Sequence, residues 1–218
     1  MKSNQPTGLS FPIVAGIATL FLAASAPANQ ARSQDALAPP KGNVQFLSAR
    51  AVGTQNYICL PNAADPKLTA WTFFGPQATL SIPLSGDYEL DVAEHLLSTV
   101  AGTTLTPSSA CTESGTSSQQ YCPTWRSPVD QSTVWGKKVA SVTAGTSPIC
   151  PNIDSISCLL VKAVATSNGQ SPIGFFSRTT YIQRLDTKGG SAPNTACTAG
   201  QVALVPYTAT YSFYTDQP

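Results

Sequence analysis

The chain has 218 residues, with twelve Lys and Arg, eleven Asp and Glu and a single histidine. Charged residues make up 11 % of it, and the bases are scattered singly apart from Lys137 and Lys138, so there is no basic face or stripe of the kind that holds nucleic acid. Low charge with abundant Ser, Thr, Gly and Pro is unlike a helical bundle and common in extracellular β domains.

Lys2 is the only charge before Arg32, and residues 11–24 (FPIVAGIATLFLAA) form an apolar run followed by small residues. That order predicts a secretory signal peptide over residues 1–28, cut after Ala26-Pro27-Ala28. The run is shorter than the ~20 residues a spanning helix needs, so no integral membrane span is expected in the mature chain. Removing Lys2 leaves eleven basic against eleven acidic residues. Residues 29–42, with Pro39 and Pro40, read as a flexible lead-in, and 43–218 as a single β domain.

From residue 43 onward short apolar runs alternate with turn residues. Strands are expected over 55–60, 70–74, 78–83, 133–142, 158–166, 179–185 and 202–214, which are rich in Val, Ile, Thr and aromatics. In the last of these Tyr207, Ala209, Tyr211 and Phe213 share one face, and Pro206 suits an edge or a first strand position. Trp71 and Phe73 alternate as buried neighbours would. Two segments resist the strand reading. Residues 91–101 (DVAEHLLSTVA) are compatible with two or three helical turns, with Val92, Leu96 and Leu97 on one stripe, although Thr99 and Val100 weaken it. Residues 103–120 are dominated by Thr, Ser and Gly and read as a long loop.

The six cysteines are Cys59, Cys111, Cys122, Cys150, Cys158 and Cys197. An even count in an exported chain argues for disulfides, although spacing alone cannot choose among the pairings. Cys111 with Cys122, and Cys150 with Cys158, bracket turn-rich stretches that local bridges would restrain. With one histidine and no C-x-x-C, a metal cluster is not expected. The fold these features imply is all-β, one antiparallel sandwich or barrel with long disulfide-pinned loops and room for one short helix.

Several motifs, in order along the chain, carry a resemblance: GTQNYIC at 53–59, W-T-F at 71–73 with GPQATL at 75–80, P-T-W at 123–125, YIQRLDTKGG at 181–190 with Ala192, Pro193 and Cys197, and VPYTATYSFY at 205–214. The chain resembles a family of uncharacterised secreted proteins of bacteria and fungi, some members of which carry a transferred malate dehydrogenase label. The resemblance implies that Cys59 pairs with Cys197. Family members often read Asp-Gly-Ser where this chain has Asp130-Gln131-Ser132, which puts a Gly-dependent turn in question. They also place a histidine shortly before the Pro-x-Trp element, a position His95 would fill.

The chemistry that can be weighed is sparse. A dinucleotide site needs a strand, a glycine-rich turn and a helix N-terminus. No G-x-G-x-x-G exists, so an NAD-dependent dehydrogenase is not expected, and neither is any cofactor. His95 is the only base available to a nucleophilic triad and no G-x-S-x-G accompanies it. It reads as a structural or surface residue whose replacement by alanine should leave folding largely intact. Asp87, Glu89 and Asp91 would share one strand face, and paired carboxylates can serve glycoside hydrolysis or hold calcium. A solvated face is the plainer reading. Trp125 sits in a turn-like setting beside Pro123, where exposure would suit it to a ligand. Arg184 reads as a strand residue paired with an acid such as Asp186 or Asp130. Trp125, His95, Asp87, Glu89 and Asp91 are thus the candidate ligand surface, with no catalytic or metal residue assigned. The expected role is a secreted, non-catalytic binding or structural protein with an extracellular ligand such as a glycan or cell wall; the alternative is a glycan-acting hydrolase using carboxylates.

Overall fold

The computed structural model describes residues 36–62, 64–98, 100, 111 and 121–217; the expected leader at 1–28, the start of the lead-in and most of the Ser/Thr-rich stretch lie outside the described residues. Eight strands run antiparallel, each beside the next: β1 (Asn43–Pro61), β2 (Thr69–Pro83), β3 (Glu89–Ser98), β4 (Cys122–Arg126), β5 (Thr133–Val142), β6 (Cys158–Ser167), β7 (Thr179–Gly189) and β8 (Val202–Asp216). β8 pairs back onto β1, so the sheet closes into a barrel. Closure satisfies the edge donors and acceptors that an open sheet would leave bare.

The inward row of β8 is Tyr207, Ala209, Tyr211 and Phe213, all buried. The facing row of β1 is complementary in size: Leu47 opposes Phe213, Ala49 opposes Tyr211 and Gly53 opposes Tyr207. Ala49 and Gly53 opposite the two tyrosine rings let a narrow barrel fill without collision. Gly53 also leaves no room for a side chain on the β2 side, since a Cβ there would collide with the Gln77 carbonyl oxygen and Ala78.

The expected strands 70–74 and 78–83 are one strand, β2. They join through Gly75 at φ 140°, and the β1 register slips by one residue beside Tyr57. The segment considered for helix, 91–101, forms β3 instead as far as Ser98. Its backbone bonds to both β2 and β4, and Val92 is the extra residue of a bulge where Leu80 faces Ala93 but Ser81 faces Asp91. Trp125 lies in a strand, not an exposed turn. Pro206 lies inside β8, one position beyond the last β7 pair at Gly189 and Tyr207, so its missing N–H costs β7 nothing.

The lead-in is held from residue 36 onward. Leu37 is fully buried with Cys150, Cys158 and Leu160 on the outer face of β6 and β7, and its carbonyl accepts from Gln183 Nε2 at 2.8 Å. Three disulfides close: Cys59–Cys197, Cys111–Cys122 and Cys150–Cys158.

The two barrel ends differ. At the end where β1 begins, the β6–β7 connection turns Phe176 inward, with its ring 4.9 Å from that of Phe213. The β4–β5 turn clamps this plug: Phe175 N donates to Asp130 Oδ2 at 2.8 Å and Phe176 N to Ser132 Oγ at 3.1 Å. Gln131 in that turn has φ 60°, the left-handed conformation that glycine adopts at least cost. The turn type implied by Asp-Gly-Ser is therefore kept without its glycine.

At the other end the connection from β7 to β8 is strapped across β1 and β2. Besides Cys59–Cys197, Tyr57 Oη donates to the Gly190 carbonyl at 2.7 Å and Trp71 Nε1 to the Thr195 carbonyl at 3.0 Å. Trp71 is accordingly half-buried and Phe73 exposed, a correction to their reading as core: both belong to the rim of the barrel.

Candidate functional site

The register of β3 and β4 sets His95 directly beside Trp125. Both point inward and stack face to face, ring centroids 4.4 Å apart with 3° between the planes. Tyr211 crosses from β8 to meet both edge-on, at 5.3 and 5.8 Å. Trp125 is 1 % and His95 3 % exposed, so neither lies on an outer ligand surface, and His95 is part of the core. His95 Nδ1 lies 2.9 Å from the Thr124 carbonyl; a carbonyl can only accept, so Nδ1 carries the hydrogen. Burial lowers the imidazole from 6.5 to about 3, opposed by the Thr124 carbonyl and assisted by the charge of Arg184. The ring is neutral throughout the ordinary pH range.

Above this aromatic layer, on the side away from Phe176, the barrel opens into a cavity of about 910 Å³. Its walls include Gln55, Tyr57, Phe73, Tyr211, Lys138 and Arg184, and none of the described residues that line it is an Asp or Glu. Tyr57 and Tyr207 are both raised above the ordinary phenol value by burial, with Arg184 opposing in each case. Trp125 Nε1 and, at the plugged end, Thr179 Oγ1 are buried atoms with no hydrogen-bond partner, at a cost of about 1–3 kcal/mol each, whereas Gln55 interacts with the Tyr207 hydroxyl.

Arg184 occupies an inward position two residues after Ile182, in the ladder between Leu159 and Tyr211. Its Nε and Nη2 donate to the Ser157 carbonyl at 3.2 and 2.8 Å. The expected acid partner is not there. Asp186 is exposed and Asp130 is engaged in the clamp at the plugged end. The ion pair found among the described residues is Arg126 with Glu94, 2.9 Å apart on the outer surface.

The acidic members of the candidate ligand surface are separated from its ring members. Glu89 pairs with Pro83 and Asp91 with Ser81, in the hairpin at the plugged end. Asp87, Glu89 and Asp91 are all exposed, and Glu89 Oε2 accepts from Ser81 Oγ at 2.7 Å. The structure thus joins Trp125 to His95 and leaves the three carboxylates at the opposite end from the cavity. Sequence reading missed Gln55 and gave Arg184 the wrong role. The signal for Arg184 was present: a charged residue in the inward phase of an otherwise apolar strand.

Chemically the cavity offers rings, hydroxyls and cations. Every described cysteine is in a disulfide, His95 is committed to its carbonyl, and none of the described lining residues is a carboxylate. Among the described residues no group of His, Cys, Asp or Glu is placed to hold a metal ion, and no helix is long and apolar enough to cross a membrane. A family model described as Protein of unknown function (DUF3455) matches residues 39–215. No curated protein and no solved structure matches the chain.

Proposed function

The chain belongs to the DUF3455 family of proteins of unknown function, and from that premise we propose that it is a secreted, non-catalytic protein that binds a small extracellular ligand in the open mouth of its barrel. Three disulfides in one domain suit an oxidising exterior, and the apolar leader over residues 1–28 supplies a route there. The observation that carries the binding reading is the asymmetry of the barrel. Phe176 and Phe213 fill one end, whereas the other keeps a cavity walled by aromatic side chains over a rigid, strapped rim. Small-ligand sites are typically concave, largely apolar and furnished with a few polar groups.

Hydrolysis of glycans through carboxylates is supported less well. Inverting and retaining mechanisms both need two carboxyl groups flanking one bond in a cleft, and the acids at 87, 89 and 91 sit on an exposed hairpin away from the cavity. The test is to present purified protein with a small-molecule panel read by thermal shift, alongside a glycan array and a reducing-sugar assay. Saturable binding without turnover is the expected result. Sugar release that disappears in Glu89→Gln would replace this reading with the hydrolase. Sequencing the N-terminus of the exported product checks the leader, with a start near Asn29 expected.

A further inference from the structure

Resting on the reading of the mouth as a ligand site, we infer that the ligand is an organic anion, a carboxylate on a flat apolar body, whose charge meets Arg184 and whose ring lies against the aromatic wall. β7 turns Ile182 and Arg184 inward, whereas Leu185 on the opposite phase packs outside the barrel against the Leu37 cluster. A guanidinium in a barrel wall, half-buried and with no carboxylate within ion-pair distance among the described residues, loses hydration without gaining a counter-charge. Its contact with Ser157 uses two of its five N–H donors on one carbonyl oxygen. The remaining donors form the planar fork that matches a carboxylate.

The rest of the mouth has the same polarity. None of the described residues that line it is an acid, and the charge of Arg184 is felt at His95, Tyr57 and Tyr207. The free donors of Arg184 face the cavity with no acceptor beside them on the same side chain, so they select a ligand group rich in acceptors. A neutral sugar offers donors and acceptors alike and is recognised best where amides and carboxylates alternate, which this wall does not provide. Phe73 and the edge of Tyr57 furnish ring surface in the same cavity, so the body attached to the anion is apolar and planar.

Isothermal titration of the secreted protein near neutral pH and at low salt, with naphthalene-2-carboxylate and the isosteric naphthalene-2-methanol, tests this. The carboxylate should bind at least about tenfold more tightly than the alcohol. That advantage should shrink as salt is raised to about 0.5 M in the unmodified protein. Arg184→Gln should bring the two affinities to within about twofold, and Arg184→Lys should keep part of the preference. Equal affinity for both probes, or a preference that survives in a folded Arg184→Gln protein, overturns the anion and leaves the mouth as a binding site. Binding of neither probe overturns both this inference and the reading it rests on. The salt titration needs no variant, so a misfolded Arg184→Gln does not shelter the idea.

Discussion

Replacing Phe176 by alanine removes the ring that stops one end of the barrel. The side chain is fully buried, 4.9 Å centroid to centroid from Phe213 and the same distance from Phe175. Buried Phe→Ala changes cost about 3–5 kcal/mol, the transfer of the ring plus the cavity left behind. Phe176 sits on a connection rather than in a strand, so the gap can partly collapse, and we expect the lower half of that range, about 3–4 kcal/mol. Phe175 provides the internal comparison. It is 46 % exposed and touches Phe46 edge-on at 6.0 Å, so Phe175→Ala should cost only about 1 kcal/mol. Urea unfolding with the disulfides intact reads both values, and the corresponding fall in Tm for Phe176→Ala is roughly 10 °C for a domain of this size. Equal losses at the two positions, or a loss below about 1 kcal/mol at Phe176, would refute the plug.

Three further outcomes follow from the same fold. Burial acts to raise Asp130, but hydrogen bonds from Ser132, Phe175 and Ser127 together lower its carboxyl from 3.8 to about 2. A folded value below the unfolded one gives stability that is present above about 3.8 and lost as pH falls through about 2, so Asp130→Asn should be less stable than the parent at pH 5 and the gap should close between about pH 4 and 2. A gap that stays constant on acidification argues against the clamp. His95 is held neutral in the fold, so the unfolded chain binds the extra proton between about 3 and 6.5 and stability rises with pH across that window. His95→Phe keeps a ring against Trp125 and should flatten that slope in urea midpoints taken against pH, whereas His95→Ala empties a core position and should destabilise by about 2 kcal/mol or more; an unchanged slope in His95→Phe would place the titration elsewhere. At Gln131, φ 60° makes the side chain matter through the backbone. Relief of left-handed strain and the extra freedom of unfolded glycine nearly offset, so Gln131→Gly should change stability by less than about 0.5 kcal/mol, while β-branched Gln131→Val should lose about 1–2 kcal/mol. Similar melting curves for the two would contradict the turn geometry.

Strands with strong inward rings were legible from sequence. The alternation of Tyr207, Ala209, Tyr211 and Phe213 gave β8 its face, and β5 begins and ends where its apolar pattern does. The first half of β1 was hidden for a steric reason: of its inward residues Leu47, Ala49, Ala51 and Gly53, two are small where they face rings of β8, Ala49 opposite Tyr211 and Gly53 opposite Tyr207, so much of the hydrophobic signal lies on the partner strand. β3 was ambiguous because the bulge at Val92 buries two consecutive residues and breaks the period of two. β4 is five residues long and begins Cys-Pro; it is a strand through its neighbours, not through propensity. Of the site, sequence supplied His95 and Trp125 separately and suggested that they belong together through the family pattern. It could not supply the cavity, because Gln55, Tyr57, Arg184 and Tyr211 come from three strands distant in the chain. Nor could it show that Arg184 faces away from the acids nearest it in sequence, since Asp186 sits beyond the start of a register shift in β7.

The pairing of β1 with β8 constrains the order of events during synthesis. The first strand made is hydrogen-bonded to the last, with Asn43 opposite Asp216 and the Gln217 amide closing onto the Gly42 carbonyl at 2.8 Å. Until β8 emerges, β1 from Asn43 to Ile58 has one side unpaired and Val44, Phe46 and Val52 beside that edge, a surface on which chains adhere to one another. Closure of the barrel therefore waits for β8 and is slowed by the long loop that must close. A product cut short before β8 is expected to keep that edge bare and to aggregate.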